Sequence, residues 1–517
     1  MSRLAVVSRL RPQRRGVMTM GAAVAAHHGP KKEGDISSVF VSLSGAERAP
    51  LPDRFRALKR DLVAGREVAV ARSWGRLLRA LREENEVVRV AGPAVIPSVE
   101  FRDLDAGVAR LRDEIRKRGA LVVRGVVDEA EARAYKDEIE AYVRRNPSTR
   151  AFPPDNPQVY ELYWSLPQLW ARAHPNMLKT QATLMRELWH ASPDAAISMQ
   201  PLTYADRLRI RQPGDATFAL GPHVDGGSVE RWERDGYGRG SGGLGLGGPY
   251  DAVFRGEWET YDPWDATARV GAVQDLYNGA GACSMFRMFQ GWLSMSACGP
   301  HEGTLLVNPL VRLSTAYFLL RPFFRPRREV REMTASGRAA AAEGFLAEDN
   351  WVLTGGGAMS SELQGATPGH GQELSDALHP HLELGGGGGG GGGTMVHIPR
   401  IRPGDYVAWH GDQVHAVDAV HRGAGDSSVL YVPVCPVTDL NVACLARQRE
   451  AFRLGLPGPD FPGGRGESEH VGRPGEEAVR GVEARRAMGL ERLLPVAGGE
   501  GRGERELINR ANRVLGF

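Results

Sequence analysis

The sequence predicts an α+β protein whose core of many short strands, a sandwich or jelly roll, is flanked by helices at its N- and C-terminal ends. Two observations carry this expectation. Apolar residues recur at three and four positions toward both ends of the chain, the period of an amphipathic helix. Between about residues 200 and 440 the apolar runs are instead short, rich in β-branched and aromatic residues, and punctuated by Gly and Pro. A third feature speaks to chemistry: His223-Val224-Asp225 is joined, almost two hundred residues downstream, by His415.

Residues 1–35 read as a disordered leader or transit peptide. The first 32 residues hold seven Lys or Arg and no Asp or Glu, the composition of a mitochondrial or plastid transit peptide, or of a leader with no address. The expected location is therefore cytoplasmic, or mitochondrial if that segment is a transit peptide. The formal charge of +3 comes from this leader, since the rest of the chain carries 58 basic against 62 acidic residues. With no clustered basic excess there, a nucleic-acid surface is not expected. No apolar run reaches the ~20 residues that cross a bilayer, so no membrane span is expected either. Cys283, Cys298, Cys435 and Cys444 form no C-x-x-C pair and are too sparse for a disulfide scaffold.

Residues 36–490 read as a single domain, helical to about 200 and strand-rich from about 200 to 440. From Asp53 to Val88, Phe55, Leu58, Leu62 and then Trp74, Leu77, Leu78 and Leu81 recur at helical spacing between charged residues. The run 119–126 is a short apolar strand bounded by Gly, and Asp128 is the N-cap of a helix reaching about Arg144. Strands are expected at 207–211, 217–220, 284–289, 303–307, 315–320, 394–398, 405–409 and 428–432. One helix, about Arg338 to Glu348, interrupts them. The nine consecutive glycines at 385–393 cannot hold one conformation, because each would lose maximal backbone entropy on ordering; they lengthen a surface connection. Helices return at 443–452 and 476–490, and 491–517 is expected to be a flexible tail.

His-x-Asp with a remote His is the ligand set of a 2-His-1-carboxylate facial triad, which binds one face of an octahedral Fe(II) and leaves the other open. A second pair competes for the role, His410-Gly411-Asp412, because residues i and i+2 of a strand share a face. Context favours the first pair. His223 and Asp225 are followed by Gly226 and Gly227, which let backbone and ligand approach closely. His410 and Asp412 lie too near His415 for all three to ligate from one extended segment. The metal ligands are thus read as His223, Asp225 and His415. The aromatics Trp232, Tyr237, Trp258, Tyr261 and Trp264 surround a Gly-rich stretch from Gly236 to Gly248 that could close over a substrate, or simply pack a long loop.

The segments 223–233, 283–293, 403–410 and 426–433 resemble the domain of unknown function 1479 family, and through it the clavaminate synthase-like and phytanoyl-CoA hydroxylase-like Fe(II)/2-oxoglutarate oxygenases. The resemblance spans roughly residues 50–490. It implies a cupin-like double-stranded β-helix holding Fe(II), with 2-oxoglutarate as cosubstrate, and oxidation by O2 of a small-molecule substrate the sequence does not name. The triad matches residue by residue. The next element departs from the pattern: many of these enzymes place an Arg about ten or eleven residues after the distal His to hold the far carboxylate of 2-oxoglutarate, and here those positions are Gly425 and Asp426.

A guanidinium suits that carboxylate because its planar fork donates two parallel hydrogen bonds. The candidates for cosubstrate binding are Arg287 in an expected core strand, Arg422 after the distal His, and Ser428 as a hydroxyl donor; Arg209 and Arg211 are further options. The predicted function is a non-haem Fe(II), 2-oxoglutarate-dependent dioxygenase. Two alternatives are a metal-dependent hydrolase or isomerase using the same ligands with an activated water, and a catalytically silent binding protein of the same fold.

Overall fold

The computed structural model describes residues 31, 34–44, 49–239, 247–280, 282–333, 337–355, 358–385, 392–496 and 501–517. Apart from Lys31, Gly34 and Asp35, the expected leader lies outside these residues, as do 240–246 of the Gly-rich loop and 386–391 of the glycine run.

Two sheets organise the molecule. The larger has eight strands in the order Ser98–Glu100, Ala120–Arg124, Tyr406–His410, Phe289–Ser294, Ser427–Tyr431, Leu208–Arg211, Val159–Tyr160 and Ala151–Phe152. Only its first pair is parallel. The smaller is antiparallel throughout, in the order Gln372–Glu373, His223–Val224, His415–Val417, Leu305–Val307 and Val396–His397. Both contribute to the lining of one cavity, the larger through Arg209, Val429 and Tyr431, the smaller through His223, Leu305 and His415. Every second residue of Ser427–Tyr431 faces that cavity, so Ser428 and Leu430 point the other way.

The flanking helices form as their apolar spacing requires. The helical stretch expected from Asp53 is two helices, Arg54–Val63 and Glu67–Ala91, separated at Gly65, whose φ of 73° ends the first. Val70, Trp74, Leu77, Leu78, Leu81 and Val88 bury one face of the second. Asp128 caps Glu129–Arg145 as expected, accepting from the Ala130 and Glu131 amides. Leu104–Arg118 ends at Gly119, in the left-handed region at φ 72°. A Cβ there would sit 2.0 Å from Gln413 Oε1 and 2.7 Å from Val311 Cβ, so this turn admits glycine alone.

Four expectations are corrected. Thr315–Leu320 is no strand but the end of a helix, Val311–Leu320, with all of these six residues buried. An apolar run buried on every side has no period to distinguish the two conformations. Ser284–Arg287 is irregular and its strand begins only at Phe289, and 217–220 carries no strand. The flexible tail expected over 491–517 contains instead a helix, Arg502–Leu515, which buries Leu507, Ile508, Ala511 and Leu515 in a cluster with Leu445 and Met488. The four cysteines are buried and free. Among the described residues no helix is long and apolar enough to cross a membrane.

Candidate metal centre

His223 and His415 stand directly opposite each other on adjacent antiparallel strands. Opposed residues of such a pair share a face, and the two rings lie 4.1 Å apart, centroid to centroid. Asp225 follows at the end of its strand, with Oδ1 3.7 Å from His223 Nε2 and Oδ2 3.6 Å from His415 Nε2. One ligand atom from each of the three residues lies within 4.8 Å of the other two.

The orientation of the rings is held by the backbone. His223 Nδ1 meets the Gly221 carbonyl at 2.7 Å, and His415 Nδ1 meets the Gln413 carbonyl at 2.9 Å. A protonated Nδ1 donating to a carbonyl leaves the Nε2 lone pair free for a metal, which is how protein sites commonly fix a ligating imidazole. Burial, reinforced by the neighbouring His415, pushes His223 down to about 4, so it is neutral at pH 7. Burial opposes ionisation of Asp225, but His415, His223 and the Arg287 guanidinium outweigh it and hold this carboxyl well below its ordinary range. Two imidazoles and one carboxylate are a donor set that suits a divalent first-row ion.

The competing pair is used elsewhere. His410 stacks on Trp189 at 4.9 Å and its Nε2 meets the Pro263 carbonyl at 3.0 Å. Asp412 receives Arg269 at 2.7 Å and the Tyr250 hydroxyl at 2.8 Å. The aromatics expected around a closing loop are core residues: Trp232, Tyr237, Trp258, Tyr261 and Trp264 are all buried.

The cosubstrate candidates separate clearly. Arg287 lines the cavity beside Asp225, and no hydrogen bond or ion pair among the described residues engages its guanidinium. Burial alone would lower it, but Cys283, Asp225 and Tyr204 raise it above its ordinary value. Arg422 is exposed and absent from the lining. Ser428 is turned away from the cavity and donates its hydroxyl to Asp426. Arg209 reaches the cavity but is committed to Gln158 Oε1 at 2.9 Å and the Phe218 carbonyl at 2.7 Å. Arg211 is fully buried against Asp215 at 2.7 Å.

Several contributors had no sequence signal. Phe40 sets its edge against His223 at 4.8 Å. Glu230 lines the cavity, accepts from the Ser228 amide at 2.8 Å, and is pushed by burial up to about 7. Trp409 Nε1 and Gln290 Nε2, both buried on residues lining the cavity, have no hydrogen-bond partner among the described residues. The cavity measures about 170 Å³.

The model of the Gig2-like family matches residues 49–490. The chain belongs to that family. This Gig2-like chain is 30% identical over 424 residues to protein YbiU of Escherichia coli (strain K12), covering 79% of this chain and 88% of that one. Among solved structures it is similar to GlcNAc Inducible Gene 2, GIG2 (DUF1479), from Candida albicans, at TM-score 0.74 and 30% identity, covering 91% of this chain and 97% of that one. A Salmonella typhimurium LT2 protein, provisionally named an oxidoreductase, matches at TM-score 0.68 and 26% identity, over 86% and 99% of the two chains. The family is the one that the motifs around His223, Cys283, Pro403 and Asp426 resemble.

Proposed function

We propose that this Gig2-like chain is a non-haem Fe(II), 2-oxoglutarate-dependent oxygenase acting on a small molecule. The observation that carries the reading is the convergence of His223, Asp225 and His415 within 4.8 Å, with both Nδ1 atoms anchored to carbonyls. The provisional oxidoreductase name of the Salmonella relative agrees with it.

The strand order supports the fold that such a site requires. Take the eight strands beginning at Leu208, His223, Phe289, Leu305, Val396, Tyr406, His415 and Ser427 as one to eight. The larger sheet then runs 6-3-8-1 and the smaller 2-7-4-5, the interleaving of a jelly roll folded from two Greek keys. In this reading residues 36–490 form a single unit, and the helices at both ends brace it.

Bound Fe(II) with 2-oxoglutarate and O2 supplies oxidation of a substrate C–H bond, releasing succinate and carbon dioxide; the iron and cosubstrate carry that chemistry. The chain's residues position and shield it. His223, Asp225 and His415 hold the ion. Arg287, whose guanidinium makes no hydrogen bond or ion pair among the described residues, receives a carboxylate of 2-oxoglutarate, the role the residues after His415 do not fill. Gln290 and Trp409 offer N–H groups to a polar ligand, and Phe40 with the smaller sheet keeps bulk water from the imidazoles.

Anaerobic titration of the iron-loaded protein with 2-oxoglutarate tests this. The visible charge-transfer band of the chelate is expected, followed by succinate formation when O2 is admitted. Failure to bind 2-oxoglutarate with iron present would leave a binding protein, and anaerobic turnover with Zn(II) would leave a hydrolase or isomerase.

A further inference from the structure

Three other side chains converge outside the cavity. His397 ends the edge strand of the smaller sheet, Asp418 immediately follows the His415–Val417 strand, and His301 sits in the turn before Leu305–Val307. One ligand atom from each lies within 4.8 Å of the other two. His397 Nε2 is 2.6 Å from Asp418 Oδ1, and the His301 ring stands 4.4 Å from the His397 ring. His397 pairs with Leu306, whereas Leu305 and Val417 line the cavity. Because faces alternate along a strand, this cluster is on the sheet's outer face, back to back with the first.

We propose that His301, His397 and Asp418 form a second site, for a divalent first-row transition ion of the zinc type, that ties together three segments of the smaller sheet. Two imidazoles and a carboxylate suit such an ion, with water in the remaining positions. Asp418 is already arranged as a one-oxygen ligand: Oδ2 accepts the Thr304 amide at 3.1 Å, and Oδ1 faces the His397 ring. His301 is exposed, which gives the ion its way in. Its backbone is held in the left-handed region at φ 64°, a conformation a non-glycine residue rarely adopts, and its carbonyl accepts the Arg422 amide at 2.8 Å. The turn thus presents the ring at a fixed place against the sheet. An ion there would clamp the strand that carries His415 to the neighbouring strands Leu305–Val307 and Val396–His397, without touching the cavity.

The site is independent of the proposed activity, and calorimetric titration with Zn2+ separates the two. The full chain carrying Asp225→Ala, which disables the first site, is expected to bind one equivalent. Adding His301→Ala, a change at an exposed residue, should weaken that binding by more than the roughly 10–100-fold that follows loss of an outer-shell partner. No binding by the Asp225→Ala chain, or equal binding by the double variant, overturns the proposal. Should Asp225→Ala fail to fold, the wild type is expected to take up two equivalents and His301→Ala one; the same number for both would equally overturn it.

Discussion

At the residue scale the proposed metal centre depends on Asp225, its one carboxylate. Asp225→Ala is expected to abolish Fe(II)-dependent 2-oxoglutarate binding and succinate formation while leaving the far-UV circular dichroism unchanged; succinate production at the wild-type rate would refute the ligand assignment. Arg287 has a different proposed role and a different signature. A hydrogen-bonded charge is worth roughly 1.5–3 kcal/mol, so Arg287→Ala should raise KM for 2-oxoglutarate roughly 10- to 100-fold, whereas Arg422→Ala and Ser428→Ala should leave it unchanged. Steady-state kinetics at varied 2-oxoglutarate decides between them. Arg287 and Arg422 look alike in the sequence, each a few residues from a plausible site element. Only the path of the chain shows that one guanidinium faces Asp225 and the other faces water.

At the element scale, the helix that ends at Gly119 meets the segment leading to His415 at Gln413. The Gln413 side chain packs where a Cβ on Gly119 would go, and the Gln413 carbonyl anchors His415. Gly119→Ala combines an unfavourable left-handed backbone with overpacking, and should destabilise the protein by about 1–3 kcal/mol while weakening iron binding. Urea denaturation and iron titration measure the two effects, and a variant as stable as the wild type would show that the turn relaxes. Glu467 connects elements in another way. Its carboxylate accepts the Tyr163 and Trp164 amides at 2.7 and 2.9 Å, and burial pushes it up to about 7. A carboxyl raised in the folded state favours folding fully below its ordinary value near 4.5, and that contribution is lost as pH rises through about 7. Glu467→Gln should therefore gain on the wild type by of the order of 2 kcal/mol between those limits. Stability measured at pH 4.5 and 7.5 gives the comparison, and a constant difference would rule the carboxyl out as the source. Glu230, raised in the same direction, adds a similar slope that this substitution leaves in place.

At the scale of the whole molecule, the C-terminal segment belongs to the packed body of the chain. The last helix buries Leu507, Ile508 and Leu515, and Arg510 pairs with Asp439 at 2.8 Å. Each such apolar side chain contributes roughly 1.5–3 kcal/mol. Deleting residues 501–517 is thus expected to lower Tm and expose apolar surface to a hydrophobic dye; an unchanged Tm would restore the view of this segment as a tail.

Much of this was legible in the sequence alone. Local rules suffice for the Asp128 cap, the helix around Trp74 and the strand at 120–124, because caps and apolar periods act within a few residues. The convergence of His223, Asp225 and His415 was anticipated for a related reason: Gly226 and Gly227 mark the backbone opening that a ligand would need, and the P-G-D motif leads into the strand that ends at His410. What the sequence could not decide was anything set by contacts far along the chain. The Val311–Leu320 helix is apolar on all sides, and its conformation follows from what surrounds it. Ser428 and Val429 differ by one position, yet strand register alone sends one away from the cavity and the other into it. Spacing alone also offered Asp412, which Arg269 and Tyr250, both distant in sequence, hold in the fold. Composition and spacing determine which residue types are available for chemistry; side-chain direction and pairing, which decide whether they can perform it, exist only after the chain has closed on itself.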